Sequence, residues 1–174
     1  MRSRQSVVVV GVDGSPASVG ALVHAFTQVR SGGGSVEVVT VWEDPLGLAP
    51  ADEERLYRAG HRWAVRTQRA AVAQASWFAC EATPLAGVVV RGDPATTLAR
   101  AGEGASCIIL GRRSDEPLSG ACDSTRERCM ALADCPVVVV TSSPTILASC
   151  SGTLLCRQPW PPLSATRCWS HNCR

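Results

Sequence analysis

Lysine does not occur anywhere in this 174-residue chain; all 17 basic side chains are arginine. That absence excludes several chemistries outright. A Walker A loop needs a lysine on its β/γ-phosphates, a protein kinase needs one on its third strand, and a pyridoxal enzyme needs one for its Schiff base. Long apolar runs are missing as well. The all-valine runs Val7–Val10 and Val137–Val140 can cross a sheet, whereas a bilayer needs roughly 20 apolar residues. The basic start Met1-Arg-Ser-Arg resembles a signal peptide, but Asp13 interrupts the apolar stretch behind it before an export core is complete. A cytoplasmic protein with no membrane partner is therefore expected. The formal charge of +2 is too small for a nucleic-acid binder. It hides a split: residues 1–142 hold 14 Arg against 15 acids, giving −1, and residues 143–174 hold 3 Arg and no acid, giving +3.

The nine cysteines form no C-x-x-C pair, and their number is odd. Five lie before residue 143, mostly in apolar surroundings such as Cys107-Ile-Ile-Leu and Cys135-Pro136, and read as buried reduced thiols. Cys150, Cys156, Cys168 and Cys173 are spaced by 6, 12 and 5, wider than zinc modules use. With no acids, no periodicity and a Pro159-Trp-Pro-Pro162 stretch, residues 143–174 read as an irregular or disordered tail behind a domain spanning 1–142.

Within that domain, strands are expected near 7–12, 36–42, 85–90, 107–110 and 136–140, each rich in Val, Ile or Leu as in a sheet buried on both faces. Helices alternate with them. Ser15 as N-cap with Pro16 behind it starts the first, and Val19, Leu22, Val23, Phe26 and Val29 form its apolar stripe. Asp52 opens a second helix to about Ala79, with Leu56, Ala59, Trp63 and Ala70 facing inward. Asp93-Pro94 starts a third. Ser124 with Glu127 is a capping box for a fourth, whose buried side carries Met130 and Ala133. The alternation predicts an α/β, doubly wound, five-stranded parallel sheet of Rossmann-like type in a three-layer sandwich, with ligands beyond the carboxyl ends of its strands.

Five pieces in this order resemble the universal stress protein family over roughly residues 5–141: the opening strand with Val12-Asp13-Gly14-Ser15, Val41-Trp42-Glu43, Gly92-Asp93-Pro94, the strand ending in Gly111 with its long loop, and Cys135-Pro136-Val-Val-Val-Val140. The resemblance implies strand order 3-2-1-4-5 and a homodimer formed through the fifth strand, Val137–Val140. It also implies an adenine nucleotide, ATP with magnesium, as ligand. Asp13 and Val41 would then serve the adenosine part, with Ser15 and Gly92 among the other binding residues. Nucleotide-binding members share Gly-x2-Gly-x9-Gly-Ser/Thr, and ungapped alignment places Gly111, Ser114, Ser124 and Thr125 on those positions, with Arg113 between. Two of three glycines have become serine, which adds a hydroxyl donor but cannot adopt positive φ as cheaply.

Charge counts against a triphosphate here. Asp115, Glu116 and Asp123 lie in the loop, partly opposed by Arg112 and Arg113; one carboxylate about 6 Å from a phosphate costs roughly 3 kcal/mol at an effective dielectric of ~20. Arg126 either neutralises phosphate or projects outward. Asp13 has an equally plain reading as an acid at a strand-to-helix turn, and Ser15 as its cap. His24 and His61 lack ligand partners at i+3 or i+4 and read as surface residues. Arg55, Arg58, Arg62, Arg66 and Arg69 read as a solvated helix face beside Asp52–Glu54. No nucleophile, base or metal group converges on Gly111 or Asp13. The expected function is thus a non-enzymatic stress-response domain binding ATP weakly, and the alternative is a nucleotide-free dimerisation and protein-interaction module of the same fold.

Overall fold

The computed structural model describes residues 6–43, 53–77, 83–113 and 125–142. Their elements run β1 (Val7–Gly11), α1 (Pro16–Gly32), β2 (Ser35–Trp42), α2 (Glu53–Ser76), β3 (Leu85–Arg91), α3 (Pro94–Ala101), β4 (Cys107–Arg113), α4 (Thr125–Leu132) and β5 (Val137–Ser142). The five strands form one parallel sheet in the order β3-β2-β1-β4-β5, as the sequence predicts. Ser15 and Asp93 cap α1 and α3, each with proline at the start of its helix. The loop acids Asp115, Glu116 and Asp123, the helix opener Asp52 and the tail 143–174 lie outside the described residues.

Alternation along the strands builds two cores. Val8, Val10 and Val12 turn toward α1 and α2, where they meet Leu22, Phe26 and Val72. Val9 turns to the other face with Val39, Ile108 and Leu110, against Leu98 of α3 and Cys129 of α4. Both faces of β1 are therefore dry, with Val9 and Val10 at 0% exposure, which is why its sequence shows no polar alternation. Cys107, Cys129 and Cys135 are free thiols, the first two buried and the third half-buried, in line with the expected reading.

Two helix faces differ from expectation. On α2 the inward residues are Ala64, Gln68, Ala71, Val72 and Ala75, not the stripe through Leu56, Ala59, Trp63 and Ala70; Trp63 is 53% exposed. The cause is the bulk of Trp42 on β2. A Cβ on Gly60 would lie 2.4 Å from the Trp42 ring, so the helix comes close to the sheet there with Gly60 and Ala64, while Trp63 turns out. On α4 the buried residue is Cys129, and Met130 is exposed, so the inward face runs through Cys129 rather than Met130, where α4 meets α3. Ala133 packs on the core as expected.

Gln68 shows how α2 is seated. Its side-chain amide donates to the carbonyls of Val38 on β2 and Val88 on β3, both at 2.9 Å, and lies 3.4 Å from the buried Thr40 hydroxyl. Gly87 leaves the space for it, since a Cβ there would stand 2.5 Å from Gln68 Oε1. A polar side chain at a helix's buried face is costly unless satisfied, and here it is satisfied. Gln68→Leu should lower stability by about 1–3 kcal/mol in urea unfolding. Adding Thr40→Val should recover only part of that loss, because the two carbonyls stay without this donor.

Candidate functional site

All five strands end on one edge of the sheet, and the strand order reverses between β1 and β4. The chain leaves β1 through α1 toward β2, while β4 lies on the opposite side, so these two carboxyl ends mark the switch point at which sheets of this kind form a ligand crevice. Asp13 and Ser15 stand on its β1 side. Ser15 takes an extended conformation, φ −71° and ψ 155°, and its Oγ accepts the Ser18 N–H at 3.2 Å. The Ser18 hydroxyl donates back to the Ser15 carbonyl at 2.9 Å. Ser15 is thus the helix cap that its sequence context predicts.

Asp13 turns its carboxylate back on the same turn, where Oδ1 accepts the Ser15 N–H at 2.9 Å. Partial burial pushes its pKa up, but hydrogen bonds from the Ser15 hydroxyl and amide and from Ser18 outweigh this and hold it below the ordinary 3.8. Asp13 is therefore ionised at neutral pH and stands at the positive end of α1. An ionised carboxylate only accepts hydrogen bonds. Such a group suits hydroxyl or amino donors of a ligand and opposes a phosphate.

Gly111 stands on the β4 side of this switch point. A Cβ there would lie 2.2 Å from the Ala17 carbonyl oxygen and 2.6 Å from the Ser18 nitrogen, so β4 and the first turn of α1 meet backbone to backbone. This glycine is required by packing alone. Gly111 does not end its strand as expected: β4 continues through Arg112 and Arg113, which pair with Thr141 and Ser142 of β5. The longer β5 supplies ladder partners that the short Cys107–Leu110 run gives no sign of. Val41, half-buried, packs on the core between the sheet and α3 and α4, and Gly92 follows β3 with its N–H donated to the Trp42 carbonyl at 3.0 Å. Thr125 is the exposed first residue of α4. Ser114 and Ser124 lie outside the described residues, as does the side chain of Arg113.

Sequence reasoning missed the ion pair across this edge. Asp93 Oδ2 accepts the Thr96 N–H and hydroxyl at 2.8 and 2.7 Å, and Oδ1 accepts from Arg128 Nη1 at 2.7 Å. The turn after β3 is thereby tied to α4. The bonds from Thr96 and then Arg128 lower the Asp93 pKa to about 2. Nothing in the spacing of residues 93 and 128 foretells this pairing, which needs α3 and α4 side by side. Arg126 turns inward, its guanidinium 3.4 Å from the Gly111 carbonyl. A shallow depression of about 370 Å³ between Glu53, Glu54, Tyr57 and Arg91 lies beyond β3, outside the crevice. There the Arg91 guanidinium stands 5.9 Å from the ring centres of both Trp42 and Tyr57. Among the described residues no group of three or more His, Cys, Asp or Glu could hold a metal ion. Among them, too, no helix is long and apolar enough to cross a membrane.

A profile of the Universal stress protein family matches residues 6–141. No curated protein sequence matches the chain. Solved structures share the fold. Universal stress protein UspA from Lactobacillus plantarum is 22% identical with a TM-score of 0.64, covering 80% of this chain and 99% of its own. A family member from Burkholderia pseudomallei is 24% identical with a TM-score of 0.52, covering 80% and 98%. A universal stress protein in complex with cAMP is 21% identical with a TM-score of 0.52, covering 81% and 100%.

Asp93→Ala removes both the α3 cap and the tie to α4, and should cost about 0.5–2 kcal/mol in thermal unfolding at neutral pH. The folded-state pKa of about 2 lies below the ordinary 3.8, so this contribution is complete above about pH 4 and lost as pH falls toward 2. The Tm difference between the wild type and the variant should shrink over that acid range.

Proposed function

Because the chain belongs to the universal stress protein family, we propose that it is a cytoplasmic stress-response regulator, without enzymatic activity, that binds an adenine nucleotide weakly at the crevice between β1 and β4. The observation that carries this reading is the ionised Asp13 at the capped start of α1, whose first turn Gly111 meets at Ala17 and Ser18. An acceptor at that place suits a ribose hydroxyl or the adenine amino group, and Val41 at the end of β2 offers an apolar neighbour. One solved structure of the same fold is a complex with cAMP, which supports an adenine nucleotide as the ligand class. Phosphates would lie toward the start of α4, where Thr125 follows the aligned Ser114 and Ser124.

Weak binding here means a Kd between about 1 μM and 1 mM, roughly −8 to −4 kcal/mol. Calorimetric titration with ATP, AMP, cAMP and adenosine, with and without magnesium, should show saturation by the nucleotides, and Asp13→Ala should weaken adenosine and ATP alike. Restoring glycine at Ser114 and Ser124 should tighten ATP more than adenosine. If the loop acids dominate instead, Asp115→Asn with Glu116→Gln should help more, and that gain should fade with added salt. No change in ATP affinity in any variant would remove the loop as a phosphate site.

A second reading, a nucleotide-free dimerisation module, is favoured by one feature. Val137 to Val140 stay partly exposed on β5, at the edge of the sheet. Flat apolar edges invite pairing with another chain, and a second copy is the partner proposed. Sedimentation at tens of micromolar, roughly the working range for a modest interface, should show a dimer that Val139→Lys, at a β5 valine outside both core clusters, converts to monomer. A wild-type monomer at that concentration would remove this interface.

A further inference from the structure

Helix α2 has a second ordered face beyond the one seated on the sheet. Leu56, Trp63 and Ala70, and Trp77 in the turn directly after the helix, recur every seven residues, and such a spacing keeps side chains on one slowly drifting stripe of a helix. Ala59, Arg66 and Ala73 recur at the same period between them. This stripe faces out: Trp63 is 53% and Trp77 89% exposed, and Ala59, Ala70 and Ala73 are exposed as well. Leu56, Trp63 and Trp77 with the alanines between them form an apolar seam that can accept another helix, and the exposed Arg66 stands in the middle of that seam.

A second heptad stripe lies beside it. Arg55, Arg62 and Arg69 recur every seven residues, and no acid follows Glu54 in the helix. All three arginines are exposed. The two acids at the helix start are already engaged, Glu54 by Arg58 at 2.6 Å and Glu53 by Arg91 at 3.5 Å. Flanking positions of a helical pair select the partner by charge. The chain's own segment 143–174 has three Arg and no acid, so it is repelled. A second copy pairing through its own α2 would set arginine against arginine. A bilayer or a duplex would present a wide anionic surface to a chain whose first 142 residues carry a charge of −1, whereas this basic stripe is narrow.

We infer that the outer face of α2 docks an acidic amphipathic helix of another protein, with Trp63 and Trp77 packing between its apolar residues and the arginine stripe pairing with its carboxylates. This surface is separate from the nucleotide crevice and does not depend on it. The probe is a labelled synthetic peptide of about three heptads with leucine at the core positions and glutamate at the flanking ones. Its fluorescence anisotropy is followed against the full chain. Binding should saturate and weaken about tenfold or more between low and high salt. Trp63→Ala should weaken it about tenfold, and Arg62→Glu with Arg69→Glu should abolish it while creating binding to the same peptide carrying lysine for glutamate. These positions are exposed, so circular dichroism and Tm should stay unchanged. Equal binding of the glutamate and lysine peptides would overturn the proposal. So would no glutamate-peptide binding at all, whether or not phosphatidylserine vesicles or a single-stranded oligonucleotide bind instead.

Discussion

Strand β1 carries valine toward both faces of the sheet, and neither face can be left in water. Val8 and Val10 must be covered from one side and Val9 from the other. Each such side chain contributes about 1.5–3 kcal/mol when buried, a gain that requires helices on both sides. Parallel pairing with β2 and β4 then follows, since a strand covered on both faces is fed by crossover helices rather than hairpins. Once β1 is central, the chain must leave it toward β2 and return on its far side as β4. The switch point beside Asp13 is a product of that reversal, and so is the contact of Gly111 with the first turn of α1.

That contact gives Gly111 a meaning that motif comparison alone does not provide. Its missing side chain makes room for the Ala17 peptide, so the residue is needed to close β4 onto α1 whether or not a ligand is present. Asp13 differs. Its carboxylate shapes the turn through the Ser15 N–H, yet it remains exposed and ionised. Its carboxylate thus serves the backbone of the turn while keeping acceptor lone pairs toward solvent. The Asp93–Arg128 pair has a related effect at the same edge of the sheet. It joins the turn after β3 to α4, so that the start of α4 is held in place relative to the sheet.

Helix α2 separates two things that apolarity alone confuses. The side that meets the sheet carries three alanines, Val72 and one satisfied glutamine, and it approaches Trp42 closely at Gly60. The side with the larger apolar residues is left outside. Volume matching at close approach, more than hydrophobicity summed along a stripe, decides which face is buried.

Local sequence determined the elements and their starts. Continuous valine runs meant strands dry on both sides, Ser15-Pro16 and Asp93-Pro94 meant capped helices, and the alternation meant a parallel sheet; the order 3-2-1-4-5 came from five family-like pieces in series. Of the site, Asp13 and the Ser15 cap were legible because a turn and a cap are made by neighbours in the chain. The extension of β4 to Arg113, the inward faces of α2 and α4, the inward turn of Arg126 and the Asp93–Arg128 pair were decided by tertiary structure. Each depends on a surface presented by a segment far away in sequence: β5 for the end of β4, the Trp42 ring for α2, and α3 for α4. Local propensity fixes what a segment becomes, but which way it turns is set by the volume and charge of what it meets, and that partner is known only once the chain has closed on itself.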